Sequence, residues 1–313
     1  MLKPNHPLFI ILAFISLFTG LAAASAQAPE VLTLADFDLR GPVQQCIVTT
    51  DYGREEYTFD RKGRLVKAVT RYSDTDYDVT YYKLKDTLLV EQRDEVYRDE
   101  IFDEQTSIAR FFSRDTTRGI RITEKIFSYD KEFREQNEYH YDLKQRLTRI
   151  ISADQDGVDE TILTYEQNGG GQTVIYTLND NLQKTTRTYK RPSVQGDTVK
   201  VVYTKEYQDS IPRQATENIY NLKGQKLVEN QFGFRKSDST LVPVKKTRYQ
   251  YGDQGLLSAV ITQQGKSEKK VSYIYQLDGS SYHNWIREII TPANTYTSRK
   301  LTYFKASPSP KKE

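Results

Sequence analysis

Residues 57–65 read YTFDRKGRL, and near-copies return as YHYDLKQRL (139–147), IYNLKGQKL (219–227) and YQYGDQGLL (249–257). Each copy spells the tip of a β-hairpin. An aromatic residue ends one strand, as at Phe59, and Asp60 offers a carboxylate to backbone N–H groups two residues on. Gly63 supplies the left-handed conformation that closes a type I turn with a bulge, and Arg64-Leu65 open the returning strand. The same grammar marks Asp142, Asn221 with Gly224, Gly252 with Gly255 and, more loosely, Asn179 and Asp278-Gly279. Two departures stand out. Gln145 takes the glycine position after Asp142, and Phe133 takes it after Asp130, which predicts another turn geometry or a non-glycine residue at positive φ. A chain that rewrites this unit is committed to a row of antiparallel hairpins. The irregular spacing of the copies argues against a strict solenoid.

The stretches between turns alternate as strands do. In VKVVYTKEY (199–207), Val199, Val201, Tyr203 and Tyr207 share one face, and Lys200, Thr204 and Glu206 share the other. In VSYIYQL (271–277), Val271, Tyr273, Tyr275 and Leu277 fall together. Tyrosine is the abundant aromatic, 23 in all, and it favours pleated, half-buried surfaces. Helical periodicity is scarce after residue 40, and RDEVYRDEIFDEQ (93–105) is its best candidate. The fold class is therefore all-β, a long antiparallel meander over 39–304. At roughly 12 residues per strand and turn it holds on the order of 20 strands. Because open sheets beyond about 10 strands curl, close or split, a curled meander or two stacked lobes is expected. The lobe boundary would fall near KRPSVQGDT (190–198), with EQNGGGQ (166–172) second.

The F/Y-D-x-x-G-R-L unit between Tyr-rich strands resembles the YD-repeat (Rhs-type) family of bacterial secreted proteins. It is clearest at YTFDRKGRL and YHYDLKQRL and degenerates toward YIYQLDGS (273–280). The opening LRGPVQQCIVTTDYGREEYTFD (39–60) also resembles small exported proteins of Bacteroidota that carry such repeats. The resemblance implies long antiparallel meanders. The cargo-enclosing shell of large members is not implied, since this chain is too short for one.

Lys3, the apolar run LFIILAFISLFTGLAA (8–23) and the small residues up to Ala26 follow the plan of a signal peptide, 1–26. A linker at 27–38 and a disordered tail, KASPSPKKE (305–313), complete the expected organisation. Cys46 is the only cysteine, so stability must come from burial without an intramolecular disulfide. The formal net charge of +3 is spread through interspersed acids and bases, a solvated surface with no nucleic-acid footprint. No later segment is apolar enough for a helical membrane span. A porin-like barrel would need an uncharged outer row on every strand, whereas Lys205 shares the Val199–Tyr203 row and Lys245 the row of Tyr249 and Tyr251.

Chemistry is sparse. His140 and His283 are the only histidines beyond the leader, each set among aromatics, and no zinc-like spacing or nucleophile elbow accompanies them. Neither a catalytic residue nor a cofactor is assigned. SADQDGVDE (152–160) is a weak calcium candidate through Asp154, Asp156, Asp159 and Glu160. Tyr282 and Trp285 form a possible ligand-stacking pair, although Trp285 is the more natural core residue. The expected function is an exported, non-enzymatic interaction or scaffold module whose partner is an envelope protein or a glycan. A carbohydrate-binding module is the alternative, and an envelope glycoside hydrolase the weaker one. Exposed edge strands would allow a dimer.

Overall fold

The computed structural model describes residues 29–305. The expected signal peptide and all of the tail after Lys305 lie outside the described residues. Twenty strands, β1 (Val43–Thr50) to β20 (Thr295–Tyr303), follow one another as antiparallel neighbours. β1 pairs with β2 on one side, Cys46 opposite Tyr57, and with β20 on the other, Cys46 opposite Leu301. The meander thus closes into a single barrel.

Closure corrects the expectation of two lobes, and it removes the free edges that would have allowed a dimer. Residues 190–198 are no boundary: β12 (Asn181–Pro192) and β13 (Thr198–Gln208) pair through to Pro192 opposite Thr198. The turn between them repeats the hairpin grammar in Ser193–Asp197, with the Gly196 N–H donating to the Ser193 carbonyl at 3.1 Å. Residues 166–172 likewise sit in a hairpin, of β10 (Val158–Asn168) and β11 (Gly171–Leu178). The helical candidate at 93–105 is strand on both sides of Asp99-Glu100, in β5 (Leu88–Arg98) and β6 (Ile101–Asp115). Its charges suit a helix surface equally well, but only alternation matches the register with the neighbouring strands.

Directly opposed residues point to the same side of a sheet, so the register assigns each residue a face. Starting at Cys46, one face runs through Tyr57, Ala68, Thr80 and Asp94 and returns to β20 at Leu301 without a mismatch. This face is the lumen, because the chain's own N-terminal segment packs against it. Phe37 meets the rings of Tyr57 and Phe59 at centroid distances of 4.5 and 5.3 Å. A ring of 20 strands exceeds the 16 to 18 at which side chains cease to fill the interior.

The strands alternate direction, so turns after even-numbered strands gather at one rim and turns after odd-numbered strands at the other. All four near-copies of the nine-residue unit lie on the first rim. In two of them the carboxylate does the same work. Asp60 Oδ1 accepts from the Lys62 and Arg64 N–H groups at 2.8 and 3.0 Å, and Asp142 Oδ1 from those of Lys144 and Arg146, both at 2.9 Å. Asn221 Oδ1 accepts from the Gln225 N–H at 2.9 Å, while Gly252 relies on backbone bonds alone, the Gly255 N–H reaching its carbonyl at 2.9 Å. Gly63, Gly224 and Gly255 take φ of 77°, 85° and 77°, and Gln145 takes 59° without the licence of a glycine. In the Asp130 turn the left-handed residue is Lys131, at 70°, and Phe133 already opens β8 (Phe133–Tyr141). The turn there starts at Ser128, two residues earlier than the sequence pattern suggests.

Candidate functional site: a polar lumen with one plugged mouth

The segment expected to be a linker is a plug. The Leu65 N–H donates to the Leu32 carbonyl at 2.8 Å and the Leu34 N–H to the Gly63 carbonyl at 2.9 Å, which ties the segment to the rim. A 3₁₀ turn, Leu34–Phe37, follows, with the Asp36 carboxylate accepting from the Thr33 N–H and hydroxyl at 2.7 and 2.9 Å. Asp38 ends it in the left-handed region, at φ 52°. Leu39, 4% exposed, joins Val43, Cys46, Tyr57, Phe59 and Leu65 in the larger buried cluster. Asn284, buried behind the plug, clamps it: its Oδ1 accepts from the Arg40 N–H and its Nδ2 donates to the Arg40 carbonyl, both at 2.8 Å. The same Nδ2 donates to the Tyr303 hydroxyl at 2.8 Å, and that hydroxyl in turn donates to Asp278. The sequence signal for the plug was the Thr33-x-x-Asp36 capping pattern ahead of apolar Phe37 and Leu39; nothing local announced Asn284.

Beneath the plug lies Arg299. Its guanidinium stacks over the Trp285 ring, 3.5 Å from the centroid. Burial pulls its pKa down, against the opposing pull of Cys46, Asp38 and Glu288 nearby. Its buried Nε and Nη1 find no acceptor among the described residues. Burial also pushes the Glu288 carboxyl above the usual carboxylate range, despite a hydrogen bond from Tyr275. It pushes the Cys46 thiol up to about 11, which leaves that cysteine a small protonated core residue.

The opposite wall of the lumen carries a second polar network. Tyr139, 1% exposed, donates its hydroxyl to Glu124 at 2.8 Å, and the Asn137 amide donates to the same carboxylate at 3.2 Å. Ser152 donates to Asn137 at 2.6 Å, and Arg110 reaches from Asp94 to within 3.6 Å of Glu124. Burial, then the Glu124 charge, raises the Tyr139 phenol far above its ordinary value. Between these networks the wall of β14 (Ile211–Tyr220), β16 (Thr240–Tyr251) and β18 (Ser267–Leu277) presents half-buried tyrosines to the lumen. Tyr249 there is pushed up first by burial and then by Glu229, with Tyr251, Tyr220 and Tyr273 close by.

The outer face is different. Arg93, Arg149, Arg187 and Lys246 stand exposed near the middle of their strands. Lids of charge cover the apolar residues on this side. Val201, fully buried, lies on β13 where the Arg191–Glu217 pair (4.0 Å) bridges from β12 to β14. Val69 and Val79 sit beside the Arg71–Glu56 pair (2.9 Å) and the Arg71–Tyr77 stack (4.6 Å). The Val199–Tyr203 row therefore faces outward and Lys200, Thr204 and Glu206 face the lumen. Lys205 lies on the outer face, where a lipid-facing row would have to be uncharged. Lys245 lies in the lumen, opposite Gln231, where a porin would tolerate it.

The remaining candidate residues are dispersed. Trp285 is buried under Arg299, and Tyr282 lies over Tyr303 at 5.7 Å with Gly41 beneath its ring, so the two form no stacking platform. In the calcium candidate, Asp154 accepts from the Asp156 and Gly157 N–H groups, Asp159 from the Asn179 amide, and Glu160 pairs with Arg149. No group of three metal-ligating side chains converges among the described residues. His140 faces outward beside Glu138, and His283 sits at the plugged mouth, so the two histidines are separate. No helix among the described residues is long and apolar enough to cross a membrane, which leaves strand-spanning open.

No protein-family model matches the chain, and no curated protein does. Among solved structures it is similar to a porin-like protein from Bacteroides uniformis, at 10% identity over 83% of this chain and 96% of that one, TM-score 0.27. A porin-like protein from Bacteroides vulgatus gives 10% identity over 84% and 99%, TM-score 0.24. TcdB2-TccC3 without its hypervariable C-terminal region gives 11% identity over 78% of this chain and 20% of that one, TM-score 0.22. Likeness at this level carries no functional conclusion. Function has to be read from the two faces of the ring.

Proposed function

We propose that the chain is an exported, non-enzymatic envelope protein that works as a hollow interaction scaffold immersed in water. Its lumen, entered from the rim opposite the plug, is the binding surface. The distribution of charge over the two faces carries this reading. Arg and Lys at a bilayer midplane cost roughly 2–4 kcal/mol each. Four of them at mid-strand outside this barrel would cost on the order of 10 kcal/mol, comparable to the whole stability of a domain. Turn lengths agree, since no turn on either rim exceeds seven residues, whereas membrane barrels carry long loops on one side. The lumen offers tyrosine, threonine and amide groups, with its carboxylates engaged by tyrosine, arginine, lysine or amide side chains, as suits a wet interface rather than a reaction centre.

The wall of Tyr220, Tyr249, Tyr251, Tyr273 and Tyr275 favours a second reading, a glycan threaded along the lumen. One pull-down separates the two. Immobilised protein is exposed to envelope extract, half of it digested with protease beforehand. A specific protein held only from undigested extract supports the scaffold reading, and a glycan held from both halves supports the second. Retention of the native chain in membranes through alkaline carbonate extraction would sink both, because the outer wall would then face lipid.

A further inference from the structure

The two rims differ in charge. The turns of the far rim hold twelve acidic and three basic residues, and every one of its first eight turns has at least one acid. The turns of the plugged rim hold six acidic and seven basic residues, and the plug across it adds Glu30, Asp36 and Asp38 against Arg40. Two of those six acids, Asp60 and Asp142, pair with two of the bases, Arg64 and Arg146, of the same turns. The barrel is therefore a dipole along its axis, acidic at the far end.

The plugged rim also has apolar tips. The second position of its five-residue turn is the apex, pointing away from both strands. On the arc from β8 to β15 three of these apices are Leu143, Val194 and Leu222. Leu143 and Val194 are fully exposed and Leu222 is 69% exposed. Exposed Lys144 and Lys223 follow directly in two of the three. On the plugged arc the same position holds Arg61 and Asp253, so the turn geometry itself does not require an aliphatic residue. Single exposed aliphatics are ordinary, but three at one turn position along one arc make a patterned edge.

We infer that this edge docks the barrel on an anionic lipid surface, the aliphatic apices entering the headgroup region and the neighbouring lysines pairing with lipid phosphates. Exposed aliphatics flanked by Lys are the composition that binds such a surface without spanning it. The far rim also exposes apolar residues, Tyr52, Ile101 and Val158 among them, yet its acids repel the same surface. Charge thus selects which end docks and sets the lumen opening away from the membrane. The inference rests on the outer wall facing water.

Vesicle cosedimentation tests it. The purified protein is expected to bind vesicles of phosphatidylethanolamine with about 30 mol % phosphatidylglycerol, and to ignore phosphatidylcholine vesicles. The triple variant L143S/V194S/L222S and the pair K144E/K223E should each bind about tenfold more weakly, with melting curves unchanged. V158S on the far rim should bind like the native chain. Equal binding by the native chain and both rim variants, or no binding to the anionic vesicles, overturns the proposal. Protein that resists carbonate extraction from the vesicles would instead refute the water-facing outer wall.

Discussion

Two buried clusters line the lumen, and both centre on a tyrosine hydroxyl held by a glutamate. Tyr57 bonds Glu55 at 2.6 Å in one, and Tyr139 bonds Glu124 at 2.8 Å in the other. The first cluster buries Leu39, Val43, Cys46, Tyr57, Phe59 and Leu65. The second buries only Tyr139, Ile150 and Leu163, with its other apolar neighbours half exposed. The difference is the plug. A single sheet curved around a wide lumen can shield few side chains, so a larger core forms only where a second layer, here Leu32 to Leu39, is laid on the wall. The second wall replaces that layer with hydrogen bonds. One side of the barrel is held by packing and the other by polar satisfaction.

Breaking the plug tests this most strongly. Phe37→Ala removes the ring lodged against Tyr57 and Phe59, and should cost about 2–4 kcal/mol. Amide exchange should rise in β1 to β3 and stay unchanged around Tyr139. Equal loosening of both walls would mean that they share one core. Asn284→Ala should cost about 1–3 kcal/mol in a denaturant titration, because it strips partners from the Arg40 N–H and carbonyl. Exchange at Arg40 should rise with it, and a change of only a few tenths would show that the clamp is redundant.

The turns sharpen the comparison at smaller scale. Gln145→Gly should stabilise the chain by about 1 kcal/mol, since a left-handed side chain costs roughly that much. Gly63→Ala should destabilise it, as the new Cβ would come within 3.0 Å of Leu34 in the plug. If both substitutions act alike, turn strain is not the cause.

Protonation gives the smallest effects. Burial raises the Glu288 pKa, so the folded chain holds that proton more tightly than the unfolded one. Its contribution is full below the ordinary carboxylate pKa and falls as pH rises through the raised value. Asp142 does the reverse. Hydrogen bonds from Arg146 lower its pKa, so its contribution is present above the ordinary range and lost on acidification. Glu288→Gln should therefore flatten the high-pH side of a Tm-against-pH curve and Asp142→Asn the acid side. The opposite assignment of sides would contradict both.

The sequence by itself determined the all-β class, the hairpin tips and the count of strands near twenty. Those follow from alternation and turn chemistry, which act within a few residues. It also showed that a sheet so wide could not stay open. Tertiary structure alone decided that the ring closes, that Cys46 meets Leu301, and that the apolar row of β13 faces outward under a lid of Arg191 and Glu217. Local alternation separates two faces without naming which is inside, because that depends on the direction of curl. Tertiary structure likewise turned residues 32–39 from a linker into a core layer and set Asn284 against Arg40. Contacts across more than two hundred residues have no local signature; they exist only once the barrel brings its first and last strands together.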